Sequence, residues 1–402
     1  MVDMAVTPTL VLRFADVGIA TYASLRVVGE PMRTVTWVLE QDPLEKACNA
    51  LHSALPDLNG FEAPIDAIER ALTTGAFASP EAELGLARLL GTELMAADGW
   101  TLIVECMSSP RAALFVTPSP RLARVPWGQL AMPGQDGVRL MELVDVLMAV
   151  PPNIVNAPRR PARWADRQHG PAVLLLDPRI PGQRPDSALG SVLGRPASDA
   201  LLTRHFGELM EQHRVLPAVG VPVELFRRTD TDRRWLAGAC AQDPARLLYV
   251  GHASAAEGAV GHAERAALHL AEDHPLTAAD MMATRLPSPP RVALLACSSG
   301  GDYRFDEATG LAAAMILGGA ELITATLWSL PTTEAYRQFA SYASDPMSET
   351  IMAVDLAHRD EDAGRAVNRW QRAQLRRWRD GDRSASPLHW AALVSFAVDG
   401  AR

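Results

Sequence analysis

The sequence predicts an α/β protein: a mostly parallel sheet covered by helices, preceded by a smaller α+β half. Two observations carry that expectation. From residue 172 onward, five apolar runs lack in/out alternation and are separated by stretches of helical periodicity, the pattern of strands buried on both faces. Ahead of them, three runs rich in β-branched and aromatic residues follow one another across short turns, as in an antiparallel meander. At 402 residues the chain is long enough for two domains or one large two-part unit.

The meander runs are TLVLRFA (9–15), ATYASLRVVG (20–29) and MRTVTWVLE (32–40), with turns at Asp16 to Gly18 and Gly29 to Pro31. Helical patterns follow at 43–54, 65–73 and 80–97, the last opened by Ser79 as N-cap with Pro80 at the first helical position. WTLIVECM (100–107) and RAALFVTP (111–118) read as two more strands. The stretch 156–170, NAPRRPARWADRQHG, is rich in Arg and Pro and reads as an exposed linker, its basic residues alternatively marking a partner or cleavage site. The expected division is therefore an N-terminal region 1–155, the linker 156–170 and a second domain 171–402. In that domain the strands are AVLLLD (172–177), VPVELFR (221–227), RLLYVGH (246–252), RVALLACS (291–298) and AELITATLW (320–328), with covering helices near 197–213, 231–239, 277–284 and 307–318.

Composition excludes several functions. A formal charge of −9 gives no global reason to hold nucleic acid or an anionic membrane. Seven arginines fall between Arg365 and Arg383, but Val367, Trp370, Gln374 and Trp378 recur at helical spacing among them, which predicts an amphipathic helix with a solvated basic side. The N-terminus has no signal-peptide pattern, so a cytoplasmic protein is expected, and the apolar run Gly310 to Ala320 is too short to cross a bilayer. Cysteines occur only at 48, 106, 240 and 297, without CxxC pairs or histidines at ligand spacing, so no metal site or disulfide framework is expected. No GxGxxG or GxxxxGK[ST] loop is present, and no cofactor is expected.

Two strands of the second half end in chemically capable residues. His252 closes RLLYVGH and Cys297 closes RVALLAC, 45 residues apart, a separation that suits one crossover between neighbouring strands. An imidazole beside a thiol generates the thiolate needed to attack an amide carbonyl and can later protonate the departing amine. The backbone N–H groups of Cys297 and of Ala253 are candidates for stabilising the oxyanion. After Cys297 come Ser298, Ser299, Gly300 and Gly301, small enough for a substrate backbone to approach, and then a helix with Asp306 as cap, Glu307 in its first turn and Gly318 and Gly319 as its stop. Spacing alone leaves open that Cys297 is a packing residue and His252 a hydrogen-bonded loop residue. His262 and His269, in the long loop after His252, read as polar loop residues.

The wording of these segments resembles a family. RLLYVGHAS, LTAADMMATRLPSPPRVALLACSSGG, GLAAAMILGGAELITATLWSLPTTEA and SPLHWAALVSFAV resemble, in that order, successive blocks of the CHAT family of caspase and separase relatives. LARVPWGQLAMPG (122–134) and LMELVDVLMAVPPN are similar to its N-terminal blocks, so the likeness spans roughly residues 80 to 400. The resemblance implies a caspase-like sheet, cysteine peptidase activity of clan CD, His252 as general base and Cys297 as nucleophile. Ala253 stands where the family more often has Gly, and Ser298 and Ser299 where it often has Glu-Thr; either change leaves the backbone N–H groups in place. The position two before the cysteine, acidic in metacaspases, is Leu295 here. Substrate-pocket candidates are instead Asp302, Asp306, Trp328 and Ser329, with Asp306 equally readable as a helix cap and Trp328 as a core residue.

The function this implies is a regulated intracellular cysteine endopeptidase that cleaves a partner protein, in the family's terms a gasdermin-like pore former or another effector of a bacterial defence or signalling system. No repeat of about 34 residues is present. The expected sensor or activator is thus a separate protein or the N-terminal β-rich region. The alternative is a catalytically inactive caspase-like module kept for binding or scaffolding, and replacing Cys297 by Ala separates the two.

Overall fold

A computed structural model describes residues 7–58, 61–134, 136–184, 187–195, 197–254, 262–297, 299–304, 310–340 and 345–398. The chain divides into two compact units, 1–149 with 368–391, and 150–367 with 392–402.

In the first unit, β1 (Thr9–Val17), β2 (Ala20–Val27) and β3 (Glu30–Leu39) form the predicted antiparallel meander. Alternation fixes its register: Leu10, Leu12 and Phe14 of β1 are buried on one face, and Phe14 stacks on Trp127 at 4.8 Å. β4 (Ala113–Thr117) pairs parallel with β1 and β5 (Asp145–Ala149) parallel with β4, in the order β3-β2-β1-β4-β5. Helices Gln41–Ala54, Pro64–Thr73 and Pro80–Leu94 occupy the predicted stretches. The Ser79 hydroxyl caps the third by accepting from the Ala82 N–H at 3.1 Å.

Residues 100–105 of the run 100–107, expected as a strand, belong instead to the helix Ala97–Glu105, with Cys106 as its C-cap. Trp100 and Ile103, three residues apart, share its buried face, and the Trp100 indole N–H donates to the Gly91 carbonyl at 3.2 Å. A short apolar run fits either period, and packing decides between them. The helix Ala363–Arg379 has the expected buried face, with Val367 and Trp378 on it, but its arginines are not all solvated. Arg365 and Arg372 are buried, and Arg372 donates to Asp145 at 2.7 Å and to the Met141 carbonyl at 3.0 Å. A guanidinium committed to a buried carboxylate positions the helix and is withdrawn from any basic surface.

The second unit contains β6 (Ala172–Leu176), β7 (Val215–Leu216), β8 (Arg246–Val250), the two-residue strands β9 (Ala253–Ser254), β10 (Ala267–Leu268) and β11 (Leu276–Thr277), then β12 (Arg291–Leu295), β13 (Leu322–Thr326) and β14 (Leu393–Ala397). Its sheet runs β14-β13-β12-β8-β6-β7, parallel except for β14. Every residue of β6, β8, β12 and β13 is buried, as strands covered on both faces require. Leu201–Gln212, Ala278–Thr284 and Leu311–Leu317 are helices within the predicted stretches, and Arg233–Cys240 overlaps its own, ending one residue later.

Two expectations fail here. VPVELFR does not form a strand: Pro222–Leu225 is a single 3-10 turn, closed by the Glu224 carboxylate accepting from the Gly220 N–H at 2.9 Å, and only Phe226 bridges to Leu176. Pro222 has no N–H to give a ladder, and the sheet edge is taken by β7. The stretch 156–170 is not wholly exposed either. Trp164 is buried beneath the Arg291 guanidinium, 3.5 Å from the ring centroid, and its backbone N–H donates to Glu321 at 2.9 Å.

Candidate functional site

β8 and β12 are neighbours, with Val250 opposite Leu295, and the Gly251 N–H donates to the Leu295 carbonyl at 3.4 Å. His252 and Cys297 each lie two residues beyond that last pair, so adjacent chains carry them off the carboxyl edge of the sheet at the same level. Both side chains are half-buried.

The strand before His252 fixes where the ring stands. A Cβ on Gly251 would sit 2.8 Å from the Tyr249 hydroxyl and 3.3 Å from Pro178, so only glycine fits between strand and imidazole. The Tyr249 hydroxyl donates to the His252 carbonyl at 2.6 Å, with the His269 carbonyl 2.9 Å away, and burial pushes its own ionisation up. His252 Nε2 is 3.0 Å from the Gly190 carbonyl. A carbonyl only accepts, so Nε2 carries the proton and Nδ1 keeps the lone pair.

The Gly190 loop is held in turn by groups that the sequence did not mark as functional. Asp177, fully buried at the tip of β6, accepts from the Ser191 hydroxyl at 2.5 Å and from the N–H groups of Val192 at 3.2 Å and Leu193 at 3.4 Å. Arg227 pairs with Asp177 at 3.3 Å and donates to the same Gly190 carbonyl at 3.2 Å. Both residues have left-handed backbones, φ 53° for Asp177 and 54° for Arg227, strain of about 1–3 kcal/mol each that persists only where the surroundings enforce it. The available signal was a carboxylate closing an apolar strand; nothing in the sequence singled out Gly190, whose contribution is a backbone oxygen.

Cys297 sits on a turn closed by the Ser299 N–H donating to the Ala296 carbonyl at 3.2 Å. Ser299 is buried; its hydroxyl donates to the Leu294 carbonyl at 2.5 Å and accepts from the Thr326 N–H at 3.1 Å. The Thr326 hydroxyl donates to the Ala296 carbonyl, and the Gly300 N–H to the Thr326 carbonyl at 2.9 Å. The small residues after Cys297 thus tie the turn to the tip of β13. At Gly300 a Cβ would meet Val394 at 3.2 Å and Ala325 at 3.3 Å.

Ala253 pairs with Leu268 across β9 and β10, while the His252 carbonyl accepts from the His269 N–H at 3.0 Å. That makes Ala253 and Leu268 a non-hydrogen-bonded pair, and the Ala253 N–H points away from β10. His269, read as a loop residue, stands at the site's border: its Nε2 is 2.6 Å from the Ser254 hydroxyl, and burial, then the neighbouring His252, lower its affinity for a proton. His262 is exposed and pairs with Glu264 at 3.0 Å. Trp328 has no exposed surface and lies in the core, whereas Ser329 is half-buried. The Asp302 side chain, Asp306 and Glu307 lie outside the described residues, and the helix after them is described from its cap at Gly310. Beside the loop that holds His252 opens a cavity of about 550 Å³, lined among others by Val192, Leu193, Arg195, Arg227, Thr333 and Arg337.

Burial raises the other thiols: Cys240 is pushed up to about 12, and Cys48 and Cys106 move in the same direction. Among the described residues no group of three His, Cys, Asp or Glu side chains is placed to hold a metal ion, and no helix is long and apolar enough to cross a membrane.

The profile of the CHAT domain family matches residues 84–398. Among solved structures, two crystal structures of the Saccharomyces cerevisiae separase-securin complex are similar, both at 11% identity, with TM-scores of 0.49 and 0.46. Each alignment covers 97% of this chain and 30% of the other, so this chain spans less than a third of that one. No curated protein sequence matches.

Proposed function

We propose that this chain, which belongs to the CHAT domain family of caspase-like proteases, is a cysteine endopeptidase with Cys297 as nucleophile and His252 as general base, carried by residues 171–402. The observation that carries the reading is the β8–β12 register, which delivers both residues to one edge while the Gly190 carbonyl fixes the protonated nitrogen of the ring. With Nε2–H committed, Nδ1 takes the proton of the Cys297 thiol, and the carbonyl stabilises the imidazolium that forms. The thiolate adds to the scissile carbonyl, and the oxyanion is met by the Cys297 and Ala253 N–H groups. As the C–N bond breaks, the imidazolium protonates the departing amine, leaving a thioester that water, activated by the same ring, hydrolyses.

The cavity beside the Gly190 loop supports a side-chain subsite framed by Val192, Leu193 and Thr333. The substrate is a partner protein in the cytoplasm, of the gasdermin-like or other effector kind, and a separate sensor or activator protein, or the N-terminal β-rich region, controls access.

Alkylation tests the nucleophile. Iodoacetamide at neutral pH modifies Cys297 before Cys48, Cys106 and Cys240, whose thiols burial raises. In a cell lysate, new N-termini generated by the parent protein vanish with Cys297→Ala and fall by orders of magnitude with His252→Ala. Equal cleavage by the Cys297→Ala variant would remove the peptidase reading and leave a binding module.

A further inference from the structure

We propose that a cavity at the amino ends of β6, β12 and β13, on the sheet edge opposite Cys297, binds a small anion carrying two or more adjacent phosphate groups. The cavity has a volume of about 790 Å³, within the range of roughly 300–1,000 Å³ typical of small-ligand sites. Arg159, Arg160, Arg167 and Arg285 line it, and no carboxylate is among its lining residues. Four guanidinium-bearing residues thus share one cavity wall in a chain whose formal charge is −9, with acids near only two of them, Asp243 at Arg167 and Glu321 at Arg159.

Their existing commitments are few. Arg167 pairs at 2.7 Å with Asp243, an exposed carboxylate. Arg160 and Arg285 make no ion pair among the described residues. Arg159 has its Nη1 buried without a hydrogen-bond partner, and burial disfavours its charge with only partial relief from Glu321, whose carboxylate already accepts from the Trp164 N–H. An anion in the cavity that Arg159 lines offsets the unfavourable burial of its charge.

The backbone also holds these residues in place. The Ala162 N–H donates to the Gly319 carbonyl at 2.8 Å, and Gly319, at φ 126°, lets the Arg160 carbonyl approach to 2.8 Å of where a Cβ would be. Arg285 occupies the left-handed C-cap of Ala278–Thr284, a position that favours Gly or Asn, yet the chain keeps an arginine there. Planar guanidinium forks grip phosphate oxygens in pairs, and several around one cavity suit a chain of phosphates better than a single one. Met281, Met282 and Leu317 give the remaining wall, apolar and adaptable enough for a nucleobase. The shared chemistry is the polyphosphate chain, carried either by a nucleotide or by an inorganic oligomer.

Equilibrium titration and thermal unfolding of the full chain with ATP, GTP, sodium tripolyphosphate and a short single-stranded RNA test this. At least one of the three small compounds binds and raises the unfolding midpoint, and Arg285→Gln or the double variant Arg159→Gln/Arg160→Gln weakens binding roughly tenfold or more. Arg13→Gln, on the exposed face of β1, leaves it unchanged. Tighter binding of ATP or GTP than of tripolyphosphate identifies a nucleotide; equal binding identifies the inorganic chain. Absence of binding by all three small compounds, binding indifferent to both arginine variants, or RNA displacing every small compound from the cavity would overturn the proposal. Because Arg285 is exposed, its variant folds and keeps the test decisive even if the double variant does not.

Discussion

At Gly251 the room available is smaller than a methyl group. Alanine there would press its Cβ to 2.8 Å from the Tyr249 hydroxyl, and that hydroxyl holds the carbonyl of the next residue, His252. Gly251→Ala should therefore cost about 1–3 kcal/mol of stability and displace the ring. The cost should shrink in a Tyr249→Phe background, where the obstructing oxygen is gone. A urea-unfolding cycle over the four proteins measures the coupling, and strictly additive costs would mean that the clash is relieved elsewhere. At this scale the placement of His252 and Cys297 beyond neighbouring strands was legible in the sequence, because each follows an apolar run, and their reactive chemistry made them the candidate pair. Asp177 and Arg227 were not, because their work is to hold a loop whose own contribution is the backbone oxygen of Gly190.

The elements meet at the tip of β13. The Thr326 hydroxyl reaches back to the Ala296 carbonyl, one residue before Cys297, and Ser299 closes the same staple from the other side. Thr326→Val keeps the shape and deletes the donor. It should destabilise the protein by about 1–2 kcal/mol and slow alkylation of Cys297 relative to the parent, whereas loss of stability with unchanged alkylation would mean the turn holds its form without the staple. The same strands explain what the sequence makes visible. β8, β12 and β13 are short, apolar on both faces and read correctly, because burial on both sides leaves no polar alternation to misread. The segment around Trp100 and the Pro222 turn were misread because a few apolar residues fit two periods, and contacts with distant residues choose between them.

For the molecule as a whole, acid is the lever that the second unit is built to feel. His358 is buried with its Nε2 2.8 Å from the Thr324 hydroxyl, and burial, then Arg291 and Arg246, hold its ring near a pKa of about 3, with Asp355 opposing only in part. The ring is thus neutral when folded and takes a proton near pH 6.5 when unfolded, so stability is complete above about 6.5 and falls as the pH drops toward 3. His269, lowered by burial and by His252, acts with the same sign. Asp355 also loses stability in acid but lower down: burial opposes its charge, Arg246, His205 and Arg359 more than offset that, and its contribution begins to go only as the pH approaches the ordinary carboxylate range. Between pH 6.5 and 4.5 His358, His269 and His213 all cost stability as the pH falls, Glu83, whose carboxyl burial raises, acts with the opposite sign, and His358 alone supplies a slope on the order of 1.4 kcal/mol per pH unit. His358→Gln, which keeps a polar partner for Thr324 and removes the titration, should flatten urea-unfolding free energy against pH across that window, even if it lowers the value at pH 7. A variant that follows the parent's slope would assign the acid sensitivity to His269 and the remaining histidines instead.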